Sequence, residues 1–292
     1  MNVPSVPEFR LQAPKNLAPL SRDDTMVCVK RCLTVVLVFL ACPFARGQLI
    51  QVHGHRLLFL NCQGDAKGVT VILIAGAGGT TETWNKVQQP ISAFSRVCSY
   101  DRLGIGQSDP LPKGEEQSVN EIVSDLESLL KAARIMPPYV LVGHSIGGLY
   151  ARAFDKRFDP EVAGMVFIDS AHEEQIWRFA QSEPDALSEY PRWRDQRVMS
   201  AQGFLPPGEH LRWRFTKPLV VIEHAIPPEP VWHKMQQDLA SRSTESCFIT
   251  ATRSSHYIQK LQPTLVVNAT REVLTKATGL AGASSLCRDH DN

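Results

Sequence analysis

Charge of one sign is the first thing this sequence lacks. Against 31 Lys+Arg stand 30 Asp+Glu, a formal net charge of +1, so no basic excess points to nucleic acid as a partner. Cysteine is sparse: seven in 292 residues are too few for a scaffold held up by its disulfides. Glycine (18) and proline (20) follow no period, which excludes a fibrous repeat. No His/Cys/Asp/Glu group has metal-ligand spacing, and no Gly-rich loop runs into a lysine that would cradle phosphate, so neither a metal nor another cofactor is implied. What is present is 43% apolar and 21% charged residues, close to the globular average. That excludes a disordered chain and supplies a sizeable core.

Long apolar runs are also missing. The Val- and Leu-rich stretch Cys32 to Phe44 has 13 residues without a charge, short of the about 20 that a bilayer requires. It follows Lys30-Arg31 and precedes Ala45-Arg46-Gly47. A basic start, a short apolar core and small residues at the cleavage positions make a secretory signal over 26–47, with the mature chain beginning at Gln48. Two other readings stand beside it: an uncleaved membrane anchor, giving membrane association through 26–47, and a buried helix. The expected location is therefore outside the cytoplasm, secreted or periplasmic, or else membrane-anchored. Residues 1–25 are polar and broken by four prolines, an expected disordered extension. Translation starting at Met26 would explain why they precede the signal.

From residue 48 the pattern changes to short apolar runs alternating with amphipathic stretches. Leu49–Val52 and Arg56–Leu60 flank Gly54 as a hairpin. Val69–Ile74, Val97–Tyr100, Tyr139–Val142, Ala163–Ile168, Leu219–Ile222 and Cys247–Thr250 read as further strands. Glu121–Ala133 carries apolar residues at a helical period, and Tyr150–Phe158 also reads as helix. Such alternation predicts an α/β domain over 48–280, a mostly parallel sheet with helices on both faces, followed by a flexible tail, 281–292. Residues 172–216 break the rhythm: no strand signal, but seven aromatic residues, Trp177, Phe179, Tyr190, Trp193, Phe204, Trp213 and Phe215. An insertion at the carboxyl end of a strand lies where open α/β sheets place ligands. It is expected to be a helical lid whose Trp177, Trp193 and Trp213 bind substrate, or whose rings simply fasten it to the body.

The chemistry centres on Gly143-His144-Ser145-Ile146-Gly147, directly after a strand and before a helix. That is the context of the G-x-S-x-G nucleophile elbow, which lifts a serine hydroxyl out of the sheet at a helix N-terminus. Serine needs a base. Among nine histidines, His256 alone sits on the loop after the last strand; His224 precedes that strand, and His144 is expected to point away on the elbow. An acid must orient the base. Asp169 ends the strand Ala163–Ile168, while Glu223 follows Leu219–Ile222, so both are candidates, Asp169 the stronger. An oxyanion hole requires two convergent N–H groups: Ile146 supplies one, and Ala77, or Gly78, in Ala75-Gly76-Ala77-Gly78-Gly79 the other. Gly76 and Gly78 leave room for substrate beside that backbone.

Together these segments resemble the α/β-hydrolase fold superfamily from about Gln48 to about Leu274. The resemblance includes Trp84 behind the small-residue loop, the turn Asp101-Arg102-Leu-Gly104-Ile-Gly106-Gln-Ser108, which looks like the superfamily's D-x-x-G-x-G-x-S, and Ile168-Asp169-Ser170-Ala171-His172. Two departures stand out: Ala75-Gly76 replaces the usual His-Gly, and the usual acid position holds no Asp. The resemblance implies acyl transfer to water through Ser145, Asp169 and His256: a carboxylesterase- or lipase-like serine hydrolase acting on a small, largely apolar ester-like substrate. Cleavage of a C–C, amide or lactone bond on the same triad, or ligand binding without catalysis, are the alternatives. Aspartate- and cysteine-dependent members are excluded by Ser145. The fold also puts Cys62 and Cys98 on neighbouring strands, which predicts either a disulfide or two buried thiols.

Overall fold

The computed structural model describes residues 47–65, 67–182, 196–207, 214–279 and 286–287. The signal segment before Gly47 therefore lies outside the described residues, as do Tyr190, Trp193 and Trp213 of the expected lid.

All eight strands inferred from apolar runs form one sheet: β1 (Gln48–Gln51), β2 (Leu57–Gln63), β3 (Thr70–Ile74), β4 (Val97–Tyr100), β5 (Tyr139–His144), β6 (Val162–Ile168), β7 (Leu219–His224) and β8 (Ser246–Ala251). Their order is β1-β2-β4-β3-β5-β6-β7-β8. β1 pairs antiparallel with β2, and β2 with β4; the remaining pairs are parallel. Alternate side chains feed two cores. Ile72, Ile74, Leu141 and Phe167 face one; Val71, Leu73, Val142, Val166 and Ile168 face the other. A strand apolar on both faces has to be sandwiched, which is why these runs carry no polar alternation.

Helices supply the cover. α1 (Gln88–Ser92) and α8 (Pro263–Ala277) lie on one face through Ile91, Val266 and Val273; α2 (Val119–Ala132), α3 (Ile146–Phe158) and α6 (Pro230–Ser241) lie on the other through Leu126, Phe154 and Leu239. α2 starts at a capping box in which Ser118 and Glu121 satisfy each other's backbone N–H groups. Between β6 and β7 the described residues hold two short helices, α4 (Gln175–Ser182) and α5 (Gln196–Ala201), and α7 (Ile258–Leu261) follows β8. Among the described residues no helix is long and apolar enough to cross a membrane.

Cys62 and Cys98 stand directly opposite in the β2–β4 ladder and form a disulfide. A second, Cys247–Cys287, fastens the chain end to β8.

Candidate active site

β5 runs into the elbow, and the backbone there is forced. Ser145 has φ 54° and ψ −127°, a conformation costing on the order of 1–3 kcal/mol that survives only where the surroundings impose it. The flanking glycines make it feasible. A Cβ on Gly143 would sit 2.5 Å from Gly148 Cα, and one on Gly147 would overlap the Ile74 carbonyl oxygen. Ser145 N–H donates to Ile168 O at 3.0 Å, and Ser145 O accepts from Ala171 N–H at 2.9 Å, so the end of β6 and the residues just after it hold the turn from both sides. Ile146 opens α3, where the first N–H groups have no intrahelical acceptor.

Asp169 follows β6 immediately and also has positive φ, 47°. It is fully buried and collects donors from three residues. Oδ2 accepts from His256 Nδ1 at 2.6 Å and His224 Nδ1 at 2.8 Å; Oδ1 accepts from Trp232 Nε1 at 2.6 Å and the His224 backbone N–H at 3.1 Å. Burial pushes the Asp169 carboxyl up, but the bonds from His224, His256 and Trp232 outweigh it and hold the group well below the usual carboxylate range. Asp169 is thus a carboxylate at neutral pH. Because a carboxylate only accepts, the neutral His256 ring carries its proton on Nδ1 and its lone pair on Nε2.

Ser145 and His256 border one cavity of about 410 Å³, with Gly76, Ala77, Gly78 and His144. Ala77 belongs to the loop after β3, and Arg102 clamps that loop. Its guanidinium donates to Ala75 O at 2.6 Å and Gly76 O at 2.5 Å. The Gly76 carbonyl and the Ala77 N–H share a planar trans peptide and point in opposite directions. Fixing one on Arg102 therefore fixes the other. Asp101 sets the next part of the loop, accepting from Thr81 N–H at 2.6 Å and Gln107 N–H at 2.9 Å.

Glu223 is not brought to His256. Its carboxylate is bonded to His233 Nδ1 at 2.8 Å and to Thr250 Oγ1 at 2.7 Å. Trp177 is half-buried and packs on the core; it is absent from the residues bordering the Ser145 cavity. Phe204 and Phe215 are core residues as well, so among the described residues these rings fasten the insertion to the body.

Three residues make contacts that the sequence does not announce. His224 shares Asp169 with His256, and that hydrogen bond raises its pKa against the opposing effect of burial; it borders a different cavity, with Trp232 and Thr250. Trp232 donates to the buried Asp169 carboxylate. His144 does not point away from the site: its Nε2 donates to the His256 carbonyl at 2.9 Å, and the two rings lie 4.6 Å apart. Burial, and then the charge of His256, push its pKa down to about 4. The only sequence signal for His224 was its place at a strand's carboxyl end; the His144 contact spans 112 positions and has none.

The model of the "Alpha/beta hydrolase family" matches residues 71–285. The chain belongs to the alpha/beta hydrolase family. An uncharacterized protein of Bacillus subtilis, YqjL, is 29% identical over 215 residues, 69% of this chain and 81% of that one. A mouse (lyso)-N-acylphosphatidylethanolamine lipase is 25% identical over 127 residues, 42% of this chain and only 35% of its own length. Among solved structures, a thermophilic esterase from Thermogutta terrifontis superposes with TM-score 0.60 at 20% identity, covering 80% of this chain and 99% of that one; at that identity the likeness speaks to the fold alone.

Proposed function

We propose that this alpha/beta hydrolase is a serine hydrolase that cleaves carboxylic esters of small molecules through an acyl-enzyme. Ser145 attacks the carbonyl, and His256 Nε2 takes its proton and returns it to the leaving oxygen. Asp169 holds the imidazole in the required tautomer and stabilises the imidazolium. The N–H groups of Ile146 and Ala77 receive the oxyanion. One observation carries this reading: His256, its Nδ1 committed to a buried carboxylate, borders the same cavity as a serine on a strained elbow. His224 makes the same bond to Asp169 but borders another cavity, which favours His256 as the base. The test is p-nitrophenyl butyrate turnover by wild type and Ser145→Ala. Loss of turnover in the variant supports the assignment; equal rates remove it.

The two disulfides suit an oxidising compartment and support 26–47 as an export signal or anchor. Sequencing the N-terminus of the protein recovered from its native host separates these: a start at Gln48 supports cleavage, and an intact 26–47 opposes it.

A further inference from the structure

The Ser145 cavity has a neighbour. Ala77 and Gly78 border it and also a second cavity of about 340 Å³. The loop offering the proposed oxyanion donor is thus the partition between two compartments, and their linings differ. The second compartment is walled mainly by Leu103, Ile105, Leu111, Ile122, Tyr150 and Val198, together with Ile146; Gln117 and Gln202 also border it, their amide groups donating to Asp125 Oδ2 and to the Gln117 carbonyl. Arg102 also borders it, but its charge is spent on the Ala75 and Gly76 carbonyls, and Glu115 and Glu116 lie exposed. The first compartment, beyond the elbow, presents Thr80, Glu82, Thr83, Asn85 and Lys260.

From this division we infer the substrate class: an ester of a short- to medium-chain apolar acid with a compact, hydroxyl-bearing alcohol. The inference rests on the roles of Ser145 and His256 proposed above. The orientation follows from proton transfer. His256 must reach the leaving oxygen to protonate it, so the alcohol lies on the side His256 borders. His256 borders the polar compartment and not the apolar one. With the carbonyl oxygen between Ile146 N–H and Ala77 N–H, the acyl chain continues past Ile146 into the apolar compartment. An alkyl alcohol in the polar compartment would strip water from hydroxyl, amide and charged groups and return no hydrogen bond; a hydroxylated one replaces those waters with its own. The compartment size is at the low end of ligand pockets, which limits the acyl chain.

Two ester series on the full chain test this. In p-nitrophenyl acetate, butyrate, hexanoate and octanoate the alcohol is constant, and kcat/KM should rise by up to about fourfold per added methylene until the compartment is filled. In hexanoate esters of glycerol and of hexanol the acyl group is constant, and the glycerol ester should be favoured by about tenfold, the worth of one to two hydrogen bonds. Val198→Asp should flatten the first series and leave the ratio in the second. A flat acyl series, or preference for the hexanol ester, with turnover still lost in Ser145→Ala, overturns the substrate assignment and leaves the serine hydrolase reading intact. Turnover that survives Ser145→Ala in both series overturns both.

Discussion

Replacing Asp169 by Asn tests the acid with nearly unchanged shape. The carboxylate accepts on both oxygens: His256 and His224 donate to Oδ2, and Trp232 and the His224 backbone donate to Oδ1. An amide offers one acceptor and one donor. With its oxygen toward Trp232, the amide NH2 faces His256 Nδ1 and drives the ring into the tautomer that carries its proton on Nε2, which cannot accept the Ser145 proton. With the amide turned over, NH2 opposes the Trp232 N–H, at a cost of about 1–3 kcal/mol for the buried unsatisfied donor. The first arrangement is favoured, and a wrong tautomer of this kind costs about 10⁴ in kcat, equivalent to about 5 kcal/mol of transition-state stabilisation. Steady-state p-nitrophenyl butyrate turnover should show that fall in kcat, with circular dichroism confirming the fold. Glu223→Gln, whose carboxylate serves His233 and Thr250, should leave kcat close to wild type. A collapse in Glu223→Gln with Asp169→Asn retaining kcat within about tenfold would refute the reasoning.

Three further outcomes follow from other parts of the structure. His144, buried and titrating at about 4, refuses a proton that the unfolded imidazole accepts near pH 6.5, so its contribution is complete above about pH 6.5 and falls as pH drops toward 4, by about 3 kcal/mol in all; urea unfolding of His144→Phe at pH 7 and pH 4 should show an acid loss smaller by about that amount, and an identical loss would contradict it. Arg102→Leu releases the Gly76–Ala77 peptide and should lower kcat by up to about 10² with little change in KM, since a single misplaced oxyanion donor costs about that much; a change in KM alone would count against the clamp. The Cys62–Cys98 bridge closes a separation of 36 residues, so the double serine variant should lose up to about 4 kcal/mol in denaturant unfolding, and no loss would mean the bridge does not constrain the unfolded chain.

Much of the fold was legible because its strands advertise themselves. A strand such as Thr70–Ile74, buried along its whole length, must be apolar without alternation, and a turn such as Gly143–Gly147 tolerates few residues at its glycines. The positions of Ser145, Asp169 and His256 were legible for the same reason: each follows the end of a strand in the parallel part of the sheet, which is where the His256–Asp169 hydrogen bond and the cavity shared by Ser145 and His256 are found. Contacts made by long excursions were not legible. Trp232 reaches Asp169 across 63 positions from a helix with no motif, and Arg102 reaches the loop after β3 across 26. Trp177 shows why aromatic enrichment alone does not separate binding from packing: its ring is half-buried and rests against the core.

The central claim is that Ser145 is the nucleophile, and the most direct measurement is covalent labelling. A fluorophosphonate reacts with an activated serine and loses fluoride, leaving a stable adduct on the hydroxyl oxygen. Intact-mass and peptide mass spectrometry should show one adduct per chain, on Ser145, slowed in Asp169→Asn and absent in Ser145→Ala. An unlabelled wild-type chain, or equal labelling of Ser145→Ala at another residue, would contradict it.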